Sequence, residues 1–354
     1  MMTRRYTREE VAAYRVEKME EITRRLQESV QRLVTGQDWL ESIRFAARFR
    51  SRSWLNTLLL FSQHADAYQA GRVPSPYPTY VAGRVAWKAL GRWPTQPGFV
   101  IRQPVLAAMA SATPQDPGSW RRLPRGQRPE PGEVVQQRMV GVKPAKVWDV
   151  SMTGGTPIPE RPEPQLLEGA APPGLLVAVQ GQIRAGGYTL QDAVDAGVLG
   201  GANGITDFTT RTVTVRVDMD EAARLKTTLH ELAHVKLHAP DSLTARGEHR
   251  GIDEVEAESV AMFVAASHGL DTSGYTVPYV AGWADSVNGR TVTEVLQDTA
   301  EKARRTALGI LENLPETAAS DGYPPGMSEA LRAQANTPSL HREPARAGHP
   351  PLER

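Results

Sequence analysis

No cysteine occurs among the 354 residues. That excludes disulfide staples and thiolate metal sites, and it fits a reducing compartment. An excess of one charge is also missing: 41 lysines and arginines face 40 aspartates and glutamates, for a formal net charge of +1. No global field draws such a chain onto nucleic acid, so any such binding has to come from a local patch. Long apolar runs are lacking too, and none would cross a bilayer. The opening Met1-Met2-Thr3-Arg4-Arg5-Tyr6-Thr7-Arg8 has no apolar core of the signal-peptide kind. A cytoplasmic protein without a membrane partner is the expectation. At 40% hydrophobic and 23% charged residues the chain is ordinary globular material, long enough for two domains and their linkers.

The chemistry is concentrated in residues 225–258. His230-Glu231-Leu232-Ala233-His234 fits H-E-x-x-H. On a helix, residues four apart share one face, so His230 and His234 can offer two imidazole nitrogens to a single cation. Glu231 sits one position on, within reach of a water at that cation without being a ligand. Leu229, Leu232, Ala233, Val235 and Leu237 make the surroundings apolar, and two histidines and a glutamate buried without a partner would be costly. A catalytic zinc usually has three protein ligands and an open position. The third is expected from a second helix over 252–268, which carries Glu254, Glu256 and Glu258. Glu254 is favoured as the ligand, with Glu258 one turn later holding a ligating histidine from behind. Glu256 points away from both. His238 reads as a helix-end histidine rather than a fourth ligand.

Taken in order, residues 7–34 read as a helix, 38–48 as a second, and Ser53 or Asn56 begins a third through Phe61. Between the last two, Arg44, Arg48, Arg50 and Arg52 interleave with Phe45, Phe49 and Trp54, and no acid intervenes. Arginines can follow phosphates while rings stack on unpaired bases. The alternative is that the rings are core and the arginines snorkel. Residues 70–106 are rich in turns and end in a strand from Phe99 to Val105. Residues 113–132 read as an exposed loop, and 134–150 as strand again. The stretch 156–174, with six prolines, is the expected linker. A helix over 175–183, another near 189–196, a strand over 205–217 and a helix over 291–313 follow. A strand beside the metal helix can take an extended peptide by edge addition. From 315 to 354 a disordered tail is expected.

Several of these segments resemble one family. They are Trp54-Leu55-Asn56-Thr57-Leu58-Leu59-Leu60, Trp87-Lys88-Ala89-Leu90-Gly91-Arg92, Val147-Trp148-Asp149-Val150-Ser151, Leu225 to His234, and Glu254 to Ala261. Together they resemble the ArdC-like antirestriction proteins, and the second half is similar to the ImmA/IrrE-type metallopeptidases. The resemblance implies an α+β chain, with an N-terminal single-stranded-DNA-binding domain (1–155) followed by a zincin-like metallopeptidase domain (175–314). It implies a DNA-associated peptidase from a mobile element, protecting incoming DNA. Under it Glu231 is the general base, and His230, His234 and Glu254 hold one Zn2+, with Mn2+ or another divalent ion open. Arg48, Arg50, Arg52, Trp54, Asn56, Trp87, Lys88 and Arg92 are the expected contacts to single-stranded DNA. A protein or peptide is the expected substrate, and Tyr275, Tyr279 and His249 are candidates by residue type for stabilising the oxyanion. The other readings are a strand-coating protein whose metal is structural, and a protease that cleaves a repressor.

Overall fold

Thr7 and Glu10 cap the first helix reciprocally: the hydroxyl accepts Glu10 N–H and the carboxylate accepts Thr7 N–H. Thr35 and Asp38 do the same for the second, and Ser53 precedes the third. These are α1 (Arg8–Gln31), α2 (Gly36–Arg48) and α3 (Trp54–Gln69). The structure, a computed structural model, describes residues 7–33, 35–159, 171–238, 250–270, 275, 277, 284, 289–317 and 321–336.

Next come β1 (Val81–Gly83), α4 (Arg84–Ala89), β2 (Arg92–Pro94), β3 (Phe99–Ser111), β4 (Arg121–Arg122), β5 (Val134–Asp149) and β6 (Thr153–Gly155). An antiparallel sheet runs in the order β1-β5-β3-β4, while β2 and β6 pair separately. β3 and β5 pair from Phe99↔Val147 to Ser111↔Val134, and Val140 is an extra residue at the shift between Val105 and Leu106. Such a bulge bends the ribbon, and beyond it Leu106, Val134, Val135 and Met139 are exposed.

Near its start, β3 has its outer edge closed by side chains. Asn56 Nδ2 donates to Arg102 O at 2.8 Å and Asn56 Oδ1 accepts Arg102 N–H at 2.9 Å. Gln63, two turns along α3, makes the same pair with Val100, at 2.9 Å each way. A carboxamide has one acceptor and one donor group, so each stands in for a residue of the missing strand and covers an edge that would otherwise be open.

The second half contains α5 (Leu175–Ala185), β7 (Thr189–Ala193), β8 (Gly204–Asp207), β9 (Thr212–Arg216), α6 (Glu221–Leu237), α7 (Arg250–Ser267), α8 (Val292–Leu311) and α9 (Met327–Asn336). Its sheet runs β7-β9-β8, with β7 parallel and β8 antiparallel to β9. The expected helix near 189–196 is therefore a strand followed by a short 3-10 turn, because residues 189–193 find a ladder on β9. The single strand expected over 205–217 is two. Asp207 Oδ1 accepts Thr209 and Thr210 N–H, and Arg211 takes a φ of 51°, which turns the chain between them.

One apolar core crosses the 156–174 segment. Trp39, Leu40 and Ile43 of α2 share one core with Val255 and Phe263 of α7, on which α2 packs, and with Leu225, Leu229 and Leu232 of α6. Trp39 is fully buried, and its Nε1 donates to Ser259 Oγ at 2.9 Å. Losing such a ring costs about 3–5 kcal/mol, so α2 contributes strongly to the second half. The expected disordered tail is corrected in part: residues 321–336 return to the first half. Val81 N–H donates to Gly322 O at 2.8 Å, and Gly322 lies so close to Phe49 that a Cβ would stand 2.2 Å from its ring.

Candidate metal centre

Asp220 starts α6 by accepting Ala223 N–H at 2.7 Å. Leu225, Leu229, Leu232 and Ala233 bury one face, which leaves His230, His234 and His238 stacked a turn apart, with ring centroids 4.8 and 5.1 Å apart. α7 faces them antiparallel. Lys226 and His230 meet Glu258, His230 and His234 meet Glu254, and His238 meets Asp253 and Glu256.

Three donor atoms converge. His230 Nε2 and His234 Nε2 are 3.0 Å apart, and Glu254 Oε2 lies 3.3 Å from the first and 3.7 Å from the second. Tetrahedral ligands at zinc distances stand ~3.3 Å from one another, and the observed separations bracket that value. His230, His234 and Glu254 can thus hold one divalent cation. Electrostatics agree. Burial opposes a charge on His230, yet the hydrogen bonds to Glu254 and Glu258 outweigh it, and the pKa is pushed up to about 10. The two histidines hold Glu254 well below the usual carboxylate range. The pocket favours positive charge.

Both rings are also held from behind. His230 Nδ1 lies 3.1 Å from Glu258 Oε2, and His234 Nδ1 lies 3.0 Å from His238 Nδ1. If Nδ1–H donates in each ligating ring, both Nε2 lone pairs face the cation. His238 then accepts at Nδ1 and carries its hydrogen on Nε2, 3.1 Å from Glu256 Oε2 and 3.4 Å from Asp253 Oδ1. Lys302 on α8 pairs with Glu256. His238, Asp253 and Glu256 also cluster tightly enough to hold an ion. In this second group the ammonium of Lys302 already balances Glu256, and His238 stands behind His234. Sequence spacing placed His238 on the metal face but gave no sign of its partners on α7 and α8.

Glu231 is 5% exposed and lines the same cleft, of about 530 Å3, with Gly204, Thr206, Phe208 and the three donors. Thr206 Oγ1 donates to Glu231 Oε2 at 2.6 Å. A Cβ on Gly204 would stand 2.8 Å from Glu231 Oε1 and from Thr227 Cγ2, so glycine lets β8 approach α6. Gly204 and Thr206 were missed from sequence; their signal is the period of two along β8. Tyr275 is buried beside Lys226, whose Nζ lies 4.2 Å from the ring centroid, and burial followed by the charge of Glu258 raises its pKa. It does not line the described cleft. Tyr279 and His249 lie outside the described residues.

The residues expected at DNA divide. Trp54 and Trp87 are core, 1% and 0% exposed, and Trp87 Nε1 donates to Trp148 O at 3.0 Å. Arg92 is buried, donating to Thr153 O at 2.7 Å and Thr153 Oγ1 at 2.9 Å. The burial of Trp54, Trp87 and Arg92 corrects the expectation that they meet DNA, whereas Asn56, paired with β3, is half-buried and borders a cleft. Arg50 Nη2 donates to Thr317 Oγ1 at 2.7 Å. Arg52 donates to Val81 O at 2.7 Å and borders a cleft. Arg48 is half-buried and Lys88 exposed. The described helices include none long and apolar enough to cross a membrane.

No protein-family model matches the chain. An uncharacterized protein of Bacillus anthracis is 40% identical over 74 residues, which is 21% of this chain and 12% of that protein, so only a small part of that relative's length is spanned. Among solved structures, the metal-free crystal structure of the antirestriction ArdC protein from plasmid R388 is 16% identical, with a TM-score of 0.46, over 81% of this chain and 97% of that one. Its Mn(II)-bound form has the same identity and coverage, with a TM-score of 0.44. The chain is thus similar over most of its length to solved ArdC antirestriction structures.

Proposed function

We propose that the chain is a metal-dependent peptidase joined to a DNA-binding half, an ArdC-type protein that protects incoming DNA. One observation carries the peptidase reading: two imidazole nitrogens and a carboxylate oxygen converge while Glu231 borders the same cleft without joining them. Zinc suits this donor set, and manganese is compatible with it. When bound, the ion polarises the scissile carbonyl and lowers the pKa of a water towards about 7. Glu231 takes the proton of the attacking water and returns it to the leaving nitrogen. Thr206 aims that carboxylate, and Glu258 and His238 fix the two ligating rings. β8 is the edge strand beside the cleft, where an extended peptide can add as a further strand. The DNA and antirestriction parts rest on the motifs from Trp54 to Ser151.

The test uses full-length protein loaded with zinc or manganese and a mixed peptide library, with new termini read by mass spectrometry. The parent should cut, and Glu231→Gln should lose cleavage while keeping its metal. Equal cutting by both would remove Glu231 from its role. A parent that cuts nothing while it protects DNA as well as Glu231→Gln would favour the strand-coating alternative.

A further inference from the structure

The cleft at the metal centre carries a charge that the hydrolytic roles leave unused. Its described lining includes three carboxylates, Glu231, Asp253 and Glu254, and neither lysine nor arginine. Glu254 Oε2 lies 3.3 and 3.7 Å from the Nε2 atoms of His230 and His234, and belongs to the cation that the three can hold. Glu231 is buried and accepts the Thr206 hydroxyl. The two acids behind the ligating rings each have a lysine: Lys226 meets Glu258, and Lys302 meets Glu256. Among the described residues Asp253 has no such cation. Its ion-pair contact is His238 Nε2, 3.4 Å from Oδ1, and the neutral ring described above gives a hydrogen there without cancelling the charge. Five carboxylates thus face two lysines and, when bound, one divalent ion, which leaves a single negative charge over.

Asp253 is also placed to be reached. It lies in the first turn of α7 with its side chain 34% exposed, whereas Glu256 is buried. Ala202, Ile205 and Phe208 make part of the cleft wall apolar, and low-dielectric walls focus the field of a carboxylate. A cation entering the cleft finds a partner there, and an anion meets repulsion. Resting on the peptidase reading above, we propose that Asp253 selects substrate peptides that carry lysine or arginine near the scissile bond. The ammonium or guanidinium pairs with the Asp253 carboxylate, while His230, His234 and Glu254 are left to the ion. The same charge rejects acidic peptides.

The experiment uses full-length protein loaded with zinc and two readouts. Cleavage of a positional peptide library, read by mass spectrometry, should favour lysine or arginine over glutamate about five- to tenfold at a position flanking the cut. Fluorescence anisotropy with Glu231→Gln should show the same preference in Kd between two labelled peptide pools, one carrying lysine and the other glutamate. Asp253→Asn, which keeps an acceptor for His238, should abolish the preference, and Asp253→Lys should invert it. Metal content should match the parent in both. A parent that cuts lysine and glutamate peptides alike, or Asp253→Lys with the parent's preference, overturns the inference and leaves the peptidase reading standing. A parent that cuts nothing while Glu231→Gln still prefers the lysine pool overturns the peptidase reading and leaves the selection of basic peptides. No cleavage and no preference in binding overturn both.

Discussion

Replacing His238 by leucine tests how the metal helix works. The substitution removes the acceptor 3.0 Å from His234 Nδ1, so that ring is free to rotate or to carry its hydrogen on Nε2, where it could not bind a cation. Glu256 keeps Lys302 as a partner, so no buried acid is orphaned and the metal-free fold should survive. Loss of a partner behind a ligating histidine typically lowers metal affinity 10- to 100-fold. That is about 1.4–2.7 kcal/mol, the size of one hydrogen bond with a charged or polarised partner. Competition with a chromophoric chelator for zinc, at neutral pH on the full chain, reads it directly. His238→Gln, whose amide oxygen can accept the same hydrogen, should recover part of the loss. Affinity equal to the parent in His238→Leu would mean that packing alone orients His234. A loss as deep as that of His234→Ala would make His238 a ligand rather than a brace.

Two further outcomes are expected. Gly204→Ala places a methyl group 2.8 Å from Glu231 Oε1; metal binding should persist while peptide cleavage falls about 100-fold, as for a ~1 Å misplacement of a catalytic group, and unchanged turnover would release Glu231 from that position. Burial holds His64 below its ordinary 6.5, against the opposing effects of Asp149 and of the Pro76 carbonyl oxygen 3.2 Å from Nδ1. Between its folded and unfolded pKa values the unfolded chain binds more protons. Its contribution is therefore full above about 6.5 and lost as pH falls from there towards the folded value. Thermal melts of metal-free protein should show a flatter acid limb for His64→Gln than for the parent, and parallel limbs would refute this.

Much of the architecture could be read from local pattern. Apolar spacing places α1 and α2 to within three residues of their ends, and the four-residue spacing of His230 and His234 puts both on one face. Glu254 and Glu258 share a face for the same reason. What stayed hidden depends on partners distant in sequence. β7 is a strand because β9 offers it a ladder. Asn56 belongs to a motif for what it does to the edge of β3, a role that composition cannot separate from base recognition. The segment 321–336 has the composition of a tail, and its order comes from Phe49 and Val81, over 200 residues earlier.

The burial of Trp39 against Ser259 and the metal helices has a practical consequence for recombination. A chimera spliced in the 156–174 segment would pair one parent's α2 with the other parent's α6 and α7, leaving mismatched indole and leucine surfaces at the joint. Exchanging the second half between relatives therefore requires α2 to travel with it, although α2 lies more than 100 residues upstream of the splice.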